Sequence, residues 1–576
     1  MFSPVSELNL PRLQEEILTW WEQHKTFEKS VALHKHREAV FYDGPPFPTG
    51  APHHGTVLVS VLKDFVARYL TMRGYSVPRV WGWDCHGLPI ETQAEKQCGI
   101  RTKTEIEAKL GVARFNQVCR SIVQNHNEAW RAYIRQMARW VDYDNAYRTM
   151  DRSYMESVLW VFKQCYDKGL VYRDYRVTPY CMRCETSLSL SDIRESDATR
   201  PRQDPSVVVR FRLNRDLLGK PAYALAWTTT PWTLPSNLAL AVHPEFDYAL
   251  VQVGDAIYIL SEARLPVYEK ILGETPAVKS RIKGGELVGE RYDPLLPYFS
   301  SRKEDGVSFQ ILSADFVDLS EGTGIVHIAP AFGEDDYFLC KQAGIRVANP
   351  VDEHGCFTAE VPEFAGRSVL EANRDIVRLL RSRQQLLDDQ TVLHNYPHCW
   401  RCSEPVIYRA MDAWYLSVTQ LKDALLRENK NIHWIPESVQ DGRFGKWLEN
   451  ARDWNISRNR YWGTPLPMWI CGSCGAKEVL GSVAEIEARW GQTISDLHKE
   501  TVDTVTFPCR CGGVFVRTPE VLDCWFESGA MPFGQRHYPF ENKEWFEAHF
   551  PADFIIEYVG QLRAWFYYLH VLAVAL

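Results

Sequence analysis

Val57, Leu58, Val61, Leu62, Phe65, Val66, Tyr69 and Leu70 recur at the i, i+3, i+4 spacing of one helical face. The spacing predicts a helix, with Gly74 where a C-terminal cap belongs. Before it, Phe41-Tyr42 close a short apolar run that predicts a strand. Gly44, Pro45, Pro46, Pro48 and Gly50 then break regular structure. Strand and helix patterns alternate through residues 41–175, as a parallel sheet with crossover helices requires. Residues 1–40 predict an N-terminal helix packed through Ile17, Leu18, Trp20 and Trp21. Between about 200 and 390 the pattern changes. Short β-rich runs such as SVVVRFRL and DYALVQVGDAIYIL predict a separate, barrel-like insertion. The α/β pattern then resumes. VLDCWFESG, 521–529, predicts another strand of the sheet. Glu557, Gln561 and Trp565, four apart, would share one face of a last helix.

The 576 residues suffice for several domains, and 45% hydrophobic with 24% charged residues is ordinary for a soluble globular chain. A net charge of −8 argues against a uniformly basic nucleic-acid surface, but a local basic patch on an acidic body remains compatible with it. The N-terminus has early acids and no long apolar core, so no signal peptide is expected. No apolar run suggests a membrane span. Of fifteen cysteines, eight lie in short paired motifs, the pattern of metal binding in a reducing compartment. Cytoplasmic location is the expectation.

Cys181-Met-Arg-Cys184 and Cys399-Trp-Arg-Cys402 each present two thiolates on a turn. Together they predict a closed structural zinc site at the neck of the insertion. A redox Cys-x-x-Cys is the alternative, without a thioredoxin-like context to support it. Cys471, Cys474, Cys509 and Cys511 predict a second zinc site, a ribbon at about 468–515. His53-His54-Gly55-Thr56 fall at the expected helix start, where free N–H groups and imidazoles suit a phosphate. Taken bare, a surface turn is the commoner meaning of such a tetrapeptide. Asp84 ends an apolar run, a place where a carboxylate can meet a substrate ammonium or merely cap a turn. The threonines of WTTTPWTLPSN, 227–237, expose hydroxyls. In GTGIVHIAPAFGEDDY, 322–337, a His stands near an Asp, and such a pair can orient a water and hold an ammonium. Bare, the threonines would be an edge strand and a turn, the aromatics Trp565 to Tyr568 would be core, and Arg458 and Arg460 would be solvated.

PPFPTGAPHHGT followed by GWDCHGLPIE, then SRNRYWGTPLP at 457–467, resembles the class I aminoacyl-tRNA synthetases, and within them the isoleucyl branch. The resemblance runs through nearly the whole chain. It implies a Rossmann-like catalytic core at 41–180 and 403–576, with the segment 181–402 inserted as an editing domain. It also implies ATP with Mg²⁺, isoleucine and its tRNA as substrates, zinc, and a monomer. His53, His54, Gly55 and Thr56 take the place of the HIGH tetrapeptide, with Thr56 where His is usual. Glu557 would lie by the ATP ribose. Gly44, Pro45, Asp84, Trp525, Gln561 and Trp565 would form the isoleucine pocket, with Asp84 on its amino group. Thr228, Thr229, Thr230 and His327 would line the hydrolytic pocket, where Asp336 grips a mischarged amino group and His327 excludes isoleucine. Such a second pocket is needed because one methylene is worth only about 1–3 kcal/mol in a hydrophobic site, for which the isoleucyl and valyl synthetases are the standard worked case. The family's KMSKS loop and anticodon-binding domain are not found in these residues, so an N-terminal portion is expected. The implied function is isoleucine–tRNA ligation with editing of valyl-tRNA. The alternative is an editing hydrolase or an inactive fragment.

Overall fold

The computed structural model describes residues 9–33, 36–100, 102–125, 127–188, 193, 198–273 and 277–576. The first eight residues of the N-terminal stretch, for which no signal peptide is expected, lie outside them. The chain forms two compact units, one of residues 1–173 with 414–576, the other of 174–413. Strands Val171–Cys181 and Val406–Leu416 carry the chain across the boundary.

In the first unit, Phe41–Tyr42 pairs in parallel with Phe554–Ile555, and Val80–Trp83 with Asp142–Arg148. Helices His54–Met72 and Leu88–Cys98 follow the first strand of each pair. The core is aromatic and aliphatic, with Trp414, Trp454, Phe526, Trp565 and Leu572 buried together. Strands Met468–Cys471, Lys477–Val479, Val514–Arg517 and Phe507–Pro508 form a separate four-stranded sheet around the second cysteine set.

Several expectations change. The apolar stripe of helix His54–Met72 faces outward: Leu58 is 63% and Phe65 67% exposed, while Ser60, Lys63 and Ala67 are buried. Periodicity reports that a face is apolar, not what covers it. In the N-terminal helix, Leu10–His24, only Leu18 is buried; Ile17 and Trp20 are exposed. The stretch 521–529 is a two-residue strand, Val521–Leu522, and then a helix, Cys524–Gly529, whose first turn Asp523 caps. Glu557, Gln561 and Trp565 do not share a helix. Gln561 lies in a 3₁₀ turn, Val559–Arg563, and the α-helix begins at Trp565. Arg458 and Arg460 are buried rather than solvated. Arg458 bonds Asp523 at 2.7 Å; Arg460 pairs with Glu91 and, at 2.6 Å, with Glu95.

The second unit is β-rich. Its described residues include a nine-stranded sheet. Strand Ala222–Thr228 is interior to it, bonded to Thr199–Arg212, Ala256–Ser261 and Ile325–Ile328. The threonines therefore end an interior strand, not an edge. Alternate residues of these strands fill a core of Val207, Val209, Ala224, Ala226, Leu240 and Ile257.

Candidate functional sites

In the second unit, Thr228, Thr229, Thr230, His327 and Asp336 line one cavity of about 340 Å³. The strand end supplies Thr228, and Pro231 starts a 3₁₀ turn that brings Thr230 and Thr233 to the same side. Strand Ile325–Ile328 delivers His327, and the first turn of helix Glu334–Gln342 delivers Asp336. His327 is held on both nitrogens. The Asn237 amide donates to Nδ1 at 2.9 Å, and its own Oδ1 accepts from the Tyr292 hydroxyl at 2.7 Å, which fixes the amide orientation. Nε2–H therefore faces Thr233 Oγ1 at 3.0 Å, and that hydroxyl donates to the Thr230 carbonyl at 2.9 Å. Burial pulls the imidazole pKa down to about 3, so the ring is neutral. With both nitrogens engaged, His327 is a fixed wall rather than a group that orients a water. Asp336 accepts a hydrogen bond from the Ala329 N–H at 2.8 Å, and burial pushes its carboxyl up to about 7. Thr233 and Asn237 had no role in the sequence reading, although both lie in the same WTTTPWTLPSN stretch; a hydrogen-bonding type next to a threonine run was the available signal.

In the first unit, His53 is the N-cap of helix His54–Met72. Its Nδ1 accepts from the Gly55 N–H at 3.2 Å, and Thr56 Oγ1 accepts from the His53 N–H at 3.4 Å. The threonine that departs from the usual tetrapeptide thus closes the cap. His53, His54 and Gly55 are exposed at the helix start. Behind them lies a buried ion cluster. Lys63 bonds Asp43 at 2.8 Å and also pairs with Glu557, while Arg139 pairs with the other oxygen of Asp43. Two basic side chains meet two carboxyls there. Burial alone would raise the Asp43 pKa, but Arg139 and Lys63 hold it below the usual range. Glu557 is raised by burial, with Lys63 opposing. The cluster brings Glu557 against Gly44: a Cβ on Gly44 would lie 2.6 Å from Glu557 Oε1 and 3.1 Å from the Trp565 ring. Pro45 is half-buried beside Gly44. Gln561 Oε1 accepts from the Trp565 N–H at 3.0 Å, and Trp565 Nε1–H donates to the Ser528 carbonyl at 2.9 Å. Trp525 stacks on Tyr568 with ring centroids 5.4 Å apart. Asp84 is buried, its N–H donating to the Pro46 carbonyl at 3.0 Å. Two residues past Asp84, His86 Nδ1 meets Glu527 Oε2 at 2.7 Å and His86 Nε2 meets His498 Nε2 at 3.0 Å. Lys63, Asp43 and His86 were not singled out from sequence; Glu557, Arg139, Glu527 and His498, which they meet, lie far along the chain.

The sulfurs of Cys181, Cys184, Cys399 and Cys402 lie within 4.8 Å of one another, as do those of Cys471, Cys474, Cys509 and Cys511. None of the fifteen cysteines is in a disulfide. Four sulfurs at that separation match the donor set of a tetrahedral zinc, so either cluster could hold one.

The α/β core, the β-rich insertion and the capped His-His-Gly helix start define a class I synthetase. The chain belongs to the tRNA synthetases class I (I, L, M and V), whose family model matches residues 16–576. Among curated proteins it is 49% identical to the isoleucine–tRNA ligase of Corynebacterium diphtheriae over 98% of this chain and 56% of that protein. It is 48% identical to the enzyme of Mycobacterium leprae over 99% of this chain and 56% of that protein. It is 47% identical to isoleucine–tRNA ligase 2 of Pseudomonas fluorescens over 98% of this chain and 54% of that protein. The chain thus spans about half the length of these relatives. Among the described residues no helix is long and apolar enough to cross a membrane.

Proposed function

We propose that this chain provides the aminoacyl-activation and editing parts of an isoleucine–tRNA ligase. The carrying observation is that the threonines, His327 and Asp336 share one cavity in a chain so close to isoleucine–tRNA ligases. In the Rossmann-like core of the first unit, the carboxylate of isoleucine would attack the α-phosphate of ATP, giving isoleucyl-adenylate and pyrophosphate. Isoleucine would then pass to the terminal ribose of its tRNA. The exposed helix start at His53, His54, Gly55 and Thr56 would hold phosphate oxygens, and Glu557 the ribose. Mg²⁺ would accompany the nucleotide and offset its charge. Gly44, Pro45, Asp84, Trp525, Gln561 and Trp565 would receive isoleucine, with the Asp84 carboxylate against its ammonium. Rate enhancement in such a site rests on positioning and charge stabilisation.

The cavity of the second unit would hydrolyse valyl-tRNA. Asp336, once ionised, would take the ammonium of the mischarged amino acid. The fixed His327 ring would bar the extra methylene of isoleucine, and the hydroxyls of Thr228, Thr229 and Thr230 would hold the ester and the attacking water. Zinc in the two cysteine clusters would brace the insertion and the ribbon. A second reading, hydrolysis alone, is favoured by a cavity built wholly within one compact unit.

Isoleucine- and valine-dependent pyrophosphate exchange, with deacylation of valyl-tRNA, tests both. Exchange favouring isoleucine supports the ligase. Deacylation without exchange supports the hydrolase. Exchange favouring valine would sink the isoleucine assignment.

A further inference from the structure

A hydrogen-bonded chain of side chains crosses the first unit beside Asp84. His86, His498 and Glu527 are all buried. His86 Nδ1 lies 2.7 Å from Glu527 Oε2, and His86 Nε2 lies 3.0 Å from His498 Nε2. His498 Nδ1 lies 2.5 Å from Asp496 Oδ1. Asp496 is the partly exposed outer end, and its Oδ2 accepts from Arg120 Nη2 at 2.7 Å. At the inner end, Glu527 Oε1 accepts from the Thr464 N–H at 2.6 Å. Trp462 seats both imidazoles: His498 stacks on it at 4.6 Å between centroids, and His86 meets it edge to face at 5.0 Å.

The three contacts fix the number of protons the chain holds. Nitrogen and oxygen do not approach so closely with lone pair against lone pair, so each contact needs one proton in it. Two neutral imidazoles carry only two. Burial alone would raise the Asp496 pKa, but His498 and Arg120 hold it below the usual range, so Asp496 is a carboxylate. Arg120 Nη2 also lies 3.1 Å from His498 Nδ1, yet the ionised oxygen at 2.5 Å takes the ring's proton. Burial pulls the His498 pKa down, so this ring is neutral and its Nε2 accepts from His86 Nε2–H. The third proton therefore sits between His86 Nδ1 and Glu527 Oε2. Asp151 is a further acid within electrostatic reach of His86, and Arg148 and Arg120 oppose it.

The inner end of the chain reaches residues assigned above to isoleucine. His86 follows Asp84 by two positions, and Glu527 follows Trp525 by two on helix Cys524–Gly529. A Cβ on Gly87 would lie 3.2 Å from Cys524, so the segment after Asp84 and this helix touch. We propose that His86, His498 and Glu527 are positioning residues, whose third proton locks the Trp525 helix against the Asp84 segment and so shapes the isoleucine pocket. The inference rests on the reading of that pocket given above. Loss of the proton leaves one contact with lone pair against lone pair, and His86 and the helix move apart. The form that binds isoleucine is the protonated one, so affinity is present at low pH and lost as pH rises.

Two measurements on the 576-residue chain test this. NMR with isotope-labelled histidine should show a nitrogen–nitrogen coupling across the bond from His86 Nε2 to His498 Nε2 at about pH 6; its absence would overturn the proposal. Calorimetric titration with isoleucine, with ATP as the control, reads the pocket. His498→Phe keeps a ring against Trp462 but leaves His86 Nε2–H without an acceptor. It should weaken isoleucine binding at least about tenfold and leave ATP binding unchanged. Glu527→Gln is the conservative rescue, because its amide can accept from the Thr464 N–H and donate to a neutral His86. At about pH 6 it should bind isoleucine as the parent does, while towards about pH 9 the parent should weaken at least about tenfold more than the variant. Unchanged isoleucine binding in His498→Phe, equal loss of isoleucine and ATP binding, or one pH dependence shared by Glu527→Gln and the parent would each overturn the proposal. A parent that does not bind isoleucine at all would remove the pocket reading itself, and the positioning role with it. Where His498→Phe does not fold, the coupling and Glu527→Gln decide.

Discussion

The two candidate sites are built in opposite ways. The cavity of the second unit draws its key residues from two short windows, 228–237 and 327–336, and its titratable groups are kept neutral or nearly so by burial. The site of the first unit joins Asp43, Lys63 and Arg139 to Glu557, more than four hundred residues later, and its groups are held in buried pairs. A site made from neighbouring strands can be read as a motif. A site made by ion pairs between distant segments exists only once the chain has folded. The first should therefore tolerate loss of a charge structurally and fail chemically. The second should fail structurally as well.

The strongest break of that contrast is Arg460→Met. It leaves Glu91 and Glu95 buried without their cation, and a loss of about 3–5 kcal/mol in urea unfolding is expected. A loss below about 1 kcal/mol would show that buried pairs do not hold the first unit together. Next, Asp336→Asn should lower valyl-tRNA deacylation roughly 10²-fold, near the cost of removing one member of a buried charge pair, with exchange unchanged. Its stability should move the other way. A carboxyl raised to about 7 in the fold and ordinary when unfolded contributes stability below its unfolded pKa, and loses it as pH rises through about 7. The asparagine variant escapes that loss, so its Tm relative to the parent should climb between pH 4 and 8. In the parent, deacylation should fall as pH drops below about 7, because the protonated carboxyl cannot hold an ammonium. A deacylation rate flat between pH 5 and 8 would remove Asp336 from that role. Gly44→Ala comes third, at about 1–3 kcal/mol, because the new methyl overlaps Glu557 and Trp565. Exchange should fall more than deacylation; equal losses would mean simple unfolding. The smallest effect is Thr56→Val. Losing the hydroxyl that accepts from His53 should cost about 1 kcal/mol, read as a Tm shift. No shift would mean that Thr56 is not part of the cap.

Much of the organisation was legible before folding. Alternating short strands at 200–390 marked the β-rich insertion, because a half-buried strand must alternate. The two cysteine sets were legible because four thiolates in paired turns have few other uses. Thr228, Thr229, Thr230, His327 and Asp336 were legible only through the resemblance of their two short stretches to the synthetases; bare, the threonines would have been an edge strand and a turn. Burial of Arg458 and Arg460 was not legible. A guanidinium in a turn is normally solvated, and only the arrival of Asp523, Glu91 and Glu95 changes that. Nor was the face of helix His54–Met72: the periodicity was present, but Lys63 turns inward because Asp43 and Glu557 await it.

The sequence by itself thus determined which segments are strands and helices in the main, where the insertion lies, and which cysteines gather. Those follow from local periodicity and from residue types with a single strong preference. The tertiary structure alone decided which charges are buried and which nitrogen of His327 carries the proton. Each depends on the field and the donors that distant segments bring to one point, and no window of sequence contains them.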